Sequence, residues 1–210
     1  MIAIIDYGVG NLRSVEKAFH FIGVEAEISS DKNFILNADG VILPGVGAFA
    51  DAMDSLEKAG MVEVVKAVAK SGKPLLGICL GMQLLFDYSE EGGDRVEGLG
   101  IFKGSIRQLP LDMDLKVPHM GWNALEIKEG CPLFDNLPAR PFVYFVHSYY
   151  LTAENRDIVI ASTEYGIKFD VAIGDRNVYG TQFHPEKSGD VGLNLLKNWA
   201  GLVKAGHGQL

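Results

Sequence analysis

The chain opens on an alternation of two patterns. Ile2 to Ile5 is a continuous apolar run, the mark of a strand covered on both faces. After a polar loop, Leu12, Val15, Phe19 and Ile22 recur at helical spacing as far as Gly23. Val24 to Ile28 and Gly40 to Leu43 repeat the strand pattern, and a helix broken near Gly60 is predicted over residues 51–70, where Met53, Leu56, Met61, Val64, Val65 and Val68 share a face. Pro74, Leu75, Leu76 and Ile78 read as a buried strand, and Leu80 through Tyr88 as the helix that follows it. Strands alternating with helices predict an α/β fold: an open, mostly parallel sheet with flanking helices.

The second half is patterned differently. Residues 94–140 are punctuated by Gly98, Gly100, Gly104, Pro110, Pro118, Gly130, Pro132 and Pro138 and predict only short strands. Pro141 to Tyr150 reads as one strand of high β-propensity, followed by strands over Ile158 to Ser162 and Phe169 to Ile173, a hairpin turn at Gly174 to Asn177 and a strand over Val178 to Phe183. Val191, Leu193, Leu195, Leu196 and Trp199 pack a terminal helix, and Gly206 to Leu210 is expected to fray.

Composition narrows the possibilities. With 210 residues, 48% of them hydrophobic, the chain can bury one substantial core, so residues 1–210 are expected to form a single domain. A net charge of −8 argues against nucleic acid and anionic membrane as partners. No apolar run reaches membrane-span length, and the N-terminus lacks the basic region of a signal peptide. The two cysteines, Cys79 and Cys131, are too few for a disulfide framework and lack metal-site spacing, which fits a reducing, cytoplasmic setting and predicts no metal. Gly8-Val-Gly10-Asn-Leu-Arg13 departs from the dinucleotide-binding fingerprint, since its third glycine is missing.

The candidate chemistry centres on Cys79, which falls between Gly77 and Gly81 at the predicted strand-to-helix turn. That is a nucleophile elbow carrying sulfur. At such a turn, free N–H groups and the helix dipole favour the thiolate, although a buried cysteine acting as a small hydrophobe is the alternative. Downstream, the strand ending in His184 brings Glu186 two residues on. A thiolate nucleophile needs an imidazole to shuttle its proton and a third group to orient that imidazole; Cys79, His184 and Glu186 have those three chemistries. Elbow geometry makes the Leu80 N–H an oxyanion donor. In Pro44-Gly-Val-Gly47, two glycines one residue apart expose further N–H groups suited to the same task, with a bare strand-to-helix turn as the alternative. Gln83, four residues after Cys79, lies on the same side of the predicted helix.

GICLGMQ and YGTQFHPEKS together resemble the motifs of the class I (triad) glutamine amidotransferases. DYGVGNLRS, PGVGAF and VPHMGWN narrow the resemblance to the branch that serves as glutaminase subunit of imidazole glycerol phosphate synthase. The resemblance runs from the first strand to the last helix. It implies that Cys79, His184 and Glu186 hydrolyse L-glutamine without a cofactor, that Gly45, Val46 and Gly47 form an oxyanion strand with the Val46 N–H as donor, and that the Gln83 amide holds the substrate. It matches Glu91 to a carboxylate that accepts from the substrate α-ammonium, with Glu90 as competitor, and His147, Ser148 and Tyr149 to a segment whose backbone cradles the substrate. It implies a partner, a (β/α)8-barrel cyclase that uses the ammonia to make imidazole glycerol phosphate and aminoimidazole carboxamide ribotide in histidine biosynthesis. Asn11 and the segment holding His119, Met120 and Trp122 would face that partner, with Lys187 relaying its state. Without the resemblance, Asn11 fits a helix cap equally well, and His119 and Trp122 fit a closed core corner. A free cysteine hydrolase on the same architecture, and a non-catalytic protein that kept the fold, are the competing readings.

Overall fold

The computed structural model describes residues 1–93, 95–111 and 115–206. Strands β1 (Ile2–Ile5), β2 (Ala26–Ser29), β3 (Gly40–Gly45) and β4 (Leu75–Cys79) alternate with helices α1 (Leu12–Phe21), α2 (Lys32–Asn37), α3 (Phe49–Lys58) and α4 (Val62–Lys70). After β4 come the single-turn helix α5 (Leu80–Gln83) and strands β5 (Phe86–Ser89), β6 (Val96–Glu97), β7 (Phe102–Gln108), β8 (His119–Ala124) and β9 (Glu126–Ile127). Strands β10 (Phe142–His147), β11 (Tyr149–Ala153), β12 (Val159–Tyr165), β13 (Ile167–Asp175) and β14 (Val178–Thr181) and helix α6 (Gly189–Ala205) complete the described chain. The fraying expected at 206–210 falls, beyond Gly206, outside the described residues.

The main sheet runs β2-β1-β3-β4-β14-β13-β11-β7-β5-β6. Its first five strands are parallel throughout; β14 then pairs antiparallel with β13, and β13 with β11 and β12. Side-chain alternation on β1 shows why both faces are covered. Ile2 and Ile4 enter a core with Phe19, Leu195, Leu196 and Trp199 of α1 and α6, whereas Ala3 and Ile5 enter one with Leu56, Val64 and Val65 of α3 and α4. No helix among the described residues is long and apolar enough to cross a membrane.

Two predicted elements differ. The helix expected over Leu80 to Tyr88 stops at Gln83, and Phe86–Ser89 is a strand parallel to β7. Leu84, Leu85 and Phe86 are all buried, which one helical face does not achieve, and the Leu84 and Leu85 carbonyls instead accept from Leu99, Ile101 and Phe102. The single strand expected over Pro141 to Tyr150 is two, divided at Ser148: β10 pairs with β8 in a separate two-stranded sheet, and β11 joins the main sheet beside β7. Continuous β-propensity does not reveal a change of partner. The break near Gly60 falls where predicted, between α3 and α4.

Candidate active site

The β4–α5 turn holds Cys79 at φ 56° and ψ −114°, a left-handed conformation for a residue with a side chain. The turn exists because its flanking glycines permit near contact. A Cβ on Gly81 would lie 1.9 Å from the Leu43 carbonyl oxygen, and one on Gly77 would lie 2.8 Å from the Gly81 carbonyl oxygen. The elbow is therefore pressed directly on β3, whose Gly45 pairs in register with Cys79. Helix α5 has only four residues, so the favourable field expected at Cys79 comes from free N–H groups of one turn and not from a long helix dipole.

Beyond Gly45 the chain leaves the sheet. The Val46 N–H donates to no backbone carbonyl among the described residues, and Gly47 takes φ +91°. Val46 and Gly47 line a cavity of about 340 Å³ together with Cys79, Leu80, Gln83, Glu91, Pro118, Val146, His147, Ser148, Tyr149 and His184. Residues separated by more than a hundred positions thus meet in one space. A larger hollow of about 850 Å³, against Lys66, Lys70 and Arg176, lies at the opposite end of β4 and β14 and is lined by none of Cys79, His184 and Glu186.

His184 is fixed from several sides. Its N–H donates to the Tyr144 carbonyl at 3.0 Å, and its own carbonyl accepts the Ser188 hydroxyl at 2.7 Å. The imidazole Nδ1 lies 2.8 Å from Glu186 Oε1, a contact permitted by the short turn that begins at Pro185. Nε2 is buried on the Cys79 side and has no hydrogen-bond partner within normal geometry among the described residues. Burial opposes protonation of this ring, but the neighbouring Cys79 sulfur and the Glu186 carboxylate outweigh it and raise its pKa to about 9. An imidazole braced on one nitrogen and open on the other is equipped to exchange a proton at the open one.

His147 is differently placed. Its Nδ1 donates to the Tyr149 carbonyl at 2.9 Å and its Nε2 meets His119 Nδ1 at 3.0 Å, so both ring nitrogens are engaged. Burial depresses its pKa to about 3, and that of His119 to about 4. His147 therefore belongs to the cavity wall and does not compete as a base. His119 itself is 3% exposed and stacked between Phe145 and Tyr165, at odds with the exposed docking position expected for it. The alternation along β8 explains the difference: His119 faces inward, while Met120 and Trp122 are 64% and 56% exposed. Asn11 and Lys187 are also exposed, and the Asn11 side chain makes no cap hydrogen bond to α1.

Two expected substrate-binding residues have protein partners. Gln83 Nε2 donates to the Tyr149 carbonyl at 3.0 Å and to Gln182 Oε1 at 2.8 Å, which leaves only Oε1 to meet a ligand. Glu91 Oε2 accepts the Phe49 N–H at 2.7 Å, supplying the cap that Ala48 lacks at the start of α3. Two neighbours of Cys79 were not singled out from sequence. Gln182 Nε2 lies 3.8 Å from the Cys79 sulfur. Tyr7 donates its hydroxyl to the Pro44 carbonyl at 2.8 Å, and burial, with a smaller effect of Cys79, pushes its pKa up. Tyr7 lies inside DYGVGN and Gln182 inside YGTQFHPEKS, but only the fold shows what they touch.

A family model for glutamine amidotransferase class-I matches residues 3–200. The chain belongs to that family. Among its relatives, the imidazole glycerol phosphate synthase subunit HisH of Caldanaerobacter subterraneus subsp. tengcongensis is 53% identical over 204 residues, covering 97% of this chain and 99% of that protein. The protein of the same name from Moorella thermoacetica is 51% identical over 210 residues, covering 98% and 99%. Solved structures share the fold at low identity. A glutamine amidotransferase crystal structure has a TM-score of 0.75 at 18% identity, covering 97% of this chain and all of that one. PurLQS from Thermotoga maritima has a TM-score of 0.74 at 18% identity, covering 95% and 97%. For a class-I amidotransferase, the open mostly parallel sheet expected from sequence is the observed architecture.

Proposed function

We propose that this chain is the glutaminase subunit of imidazole glycerol phosphate synthase, with residues 1–210 acting as one glutamine amidotransferase domain in the cytoplasm. The observation that carries the reading is the meeting of Cys79 on a strained elbow with His184, braced by Glu186, in one cavity. Full-length relatives that bear the synthase-subunit name support the choice of pathway.

In this reading the Cys79 thiolate attacks the side-chain amide carbon of glutamine. The negative charge that develops on the amide oxygen is met by the Val46 and Leu80 N–H groups. Collapse of the tetrahedral intermediate breaks the C–N bond, and protonated His184 gives its proton from Nε2 to the leaving nitrogen, releasing ammonia. The γ-glutamyl thioester is then attacked by water, whose proton His184 removes, and glutamate leaves as the thiolate is restored. Glu186 holds the imidazole in the orientation that serves both steps. Gln83 Oε1, Glu91 and the His147–Tyr149 segment hold the substrate. Ammonia freed into water at neutral pH is protonated and lost as a nucleophile, which is the chemical reason to pair this domain with a cyclase. The exposed Met120 and Trp122, with Asn11 and Lys187, form the face offered to that (β/α)8-barrel subunit, which converts the ammonia and its ribotide acceptor to imidazole glycerol phosphate.

The deciding experiment measures ammonia release from glutamine by the purified chain, alone and with the cyclase subunit and its ribotide acceptor, using Cys79→Ser as blank. A low rate alone that rises sharply with partner and acceptor supports the synthase subunit. Full activity alone, unmoved by the partner, promotes a free cysteine hydrolase instead.

A further inference from the structure

We infer that Gln182 is the positioning residue for the Cys79 sulfur, its amide held in the donating orientation by a hydrogen-bond chain anchored on the Tyr149 carbonyl. The inference rests on the reading of Cys79 as nucleophile. It begins from a constraint: a backbone carbonyl only accepts. The Tyr149 oxygen therefore requires Gln83 to present Nε2, at 3.0 Å, and His147 to present Nδ1–H, at 2.9 Å. The second hydrogen on Gln83 Nε2 goes to Gln182 Oε1 at 2.8 Å. With its oxygen so engaged, Gln182 turns its amino group toward Cys79 Sγ, 3.8 Å away.

No other assignment of the two amides satisfies these contacts. Turning Gln83 over sets its oxygen against the Tyr149 carbonyl. Turning Gln182 over sets its amino group against the Gln83 amino group and its oxygen against sulfur. Gln182 is 0% and Gln83 4% exposed, so water does not relieve either mismatch. The other branch at Tyr149 is equally determined. His147, having given Nδ1–H, carries a lone pair on Nε2 and receives Nδ1–H from His119 at 3.0 Å. His119 Nε2 in turn faces Asn123 Nδ2 at 3.4 Å, and the same amide nitrogen donates to the Glu164 carbonyl at 2.9 Å. Both imidazoles are neutral and each has one tautomer, consistent with their depressed pKa values.

A fixed donor at the sulfur has two effects. It offers the sulfur a hydrogen bond that strengthens as negative charge gathers there, because an anion accepts more strongly. It also holds Sγ in one place beneath the cavity, on the Gln182 side.

The test compares wild type, Gln182→Met and Gln182→Glu. Alkylation of Cys79 by iodoacetamide is followed by mass spectrometry of its peptide across pH, alongside kcat and KM for glutamine. At pH 7 we expect Gln182→Met to slow alkylation by about three- to tenfold and Gln182→Glu by more, with both pH profiles displaced upward. Alkylation rates and profiles within twofold of wild type in both variants overturn the inference, even if kcat falls, since that result assigns Gln182 a packing role. If the variants do not fold, wild type decides: in protein labelled with ¹⁵N-glutamine, the Gln182 side-chain amide resonances shift on alkylation of Cys79, and unmoved resonances overturn the inference. The functional reading fails separately, through a Cys79→Ser protein that still hydrolyses glutamine.

Discussion

Tyr7 donates its hydroxyl to the Pro44 carbonyl at 2.8 Å, so the loop after the first strand holds the end of the strand that leads to Val46. The bond is buried, and the Tyr7 oxygen lies 3.0 Å from where a Gly45 Cβ would stand. Tyr7→Phe keeps the ring and removes the hold. Because, in the proposed mechanism, it affects the aim of the Val46 N–H and not the donor itself, we expect kcat to fall about tenfold with KM little changed, less than the cost of deleting a donor outright. Steady-state glutaminase assays with the partner present decide this; an unchanged kcat removes Tyr7 from the machinery.

Glu186→Gln replaces the carboxylate at His184 Nδ1 with a neutral amide. One of the two groups that raise the imidazole pKa to about 9 is then lost, so its midpoint moves down toward 6.5. His184→Asn removes the proposed proton shuttle altogether, and we expect turnover to drop by roughly 10²- to 10⁴-fold. Imidazole NMR titration of Glu186→Gln and rate assays of both variants are the measurements. A His184 midpoint indifferent to Glu186 contradicts the assigned role.

Stability carries opposite signatures from two sets of histidines. His119 and His147 have folded pKa values of about 4 and about 3, below the usual 6.5, so the unfolded chain takes up protons first. Their contribution is present above pH 6.5 and is lost as pH falls toward those values. His184 is raised, so its contribution is complete below pH 6.5 and is lost as pH rises through about 9. Urea unfolding between pH 6.5 and about 5, above the usual carboxylate range, isolates the buried pair. We expect stability to fall there in wild type and not to fall in a His119→Asn, His147→Gln double variant, where His184 alone makes it rise slightly; equal slopes refute the assignment.

Gly81→Ala places a Cβ where the Leu43 carbonyl stands, 1.9 Å away. Either the elbow or β3 has to shift, at a cost of roughly 2–4 kcal/mol. Denaturant midpoints read the loss. A variant as stable as wild type shows that the two elements are not in fact pressed together.

Met120 and Trp122 stand exposed on β8, and Phe142 and Tyr144 lie on the paired strand β10. Trp122→Ala is expected to weaken cyclase binding by tenfold or more, in the manner of a buried aromatic anchor, while alkylation of Cys79 in the free subunit stays unchanged. Calorimetric titration against the cyclase measures the first effect, and equal affinity moves the docking face elsewhere.

The elbow was legible because its constraints are local: Gly77, Cys79 and Gly81 lie within one turn, and His184 and Glu186 within another. The parallel half of the sheet was legible for a similar reason, since its strands and the helices α1, α3 and α4 carry their own periodicity; the six-residue helix α2 is too short to show one and was not predicted. What sequence concealed depends on distant neighbours. Leu84 to Phe86 suits a helix until β7 claims it, and the division at Ser148 follows from a change of partner and not of residue type. His119 sits in an exposed-looking motif, yet alternation along β8 turns it inward. The Gln182 contact is a matter of hydrogen-bond direction, which residue identity does not encode.

The near contact between Gly81 and Leu43 also has a mechanical meaning. The elbow is seated on β3 as far as Gly45, so a shift of either element requires a shift of the other. The first torsions free of that coupling belong to Val46, where backbone pairing has ended, and to Gly47, where φ is +91°. A re-aiming of the Val46 N–H would thus be a rotation about a short pivot at the rim of the cavity, with no displacement of Cys79 at its base.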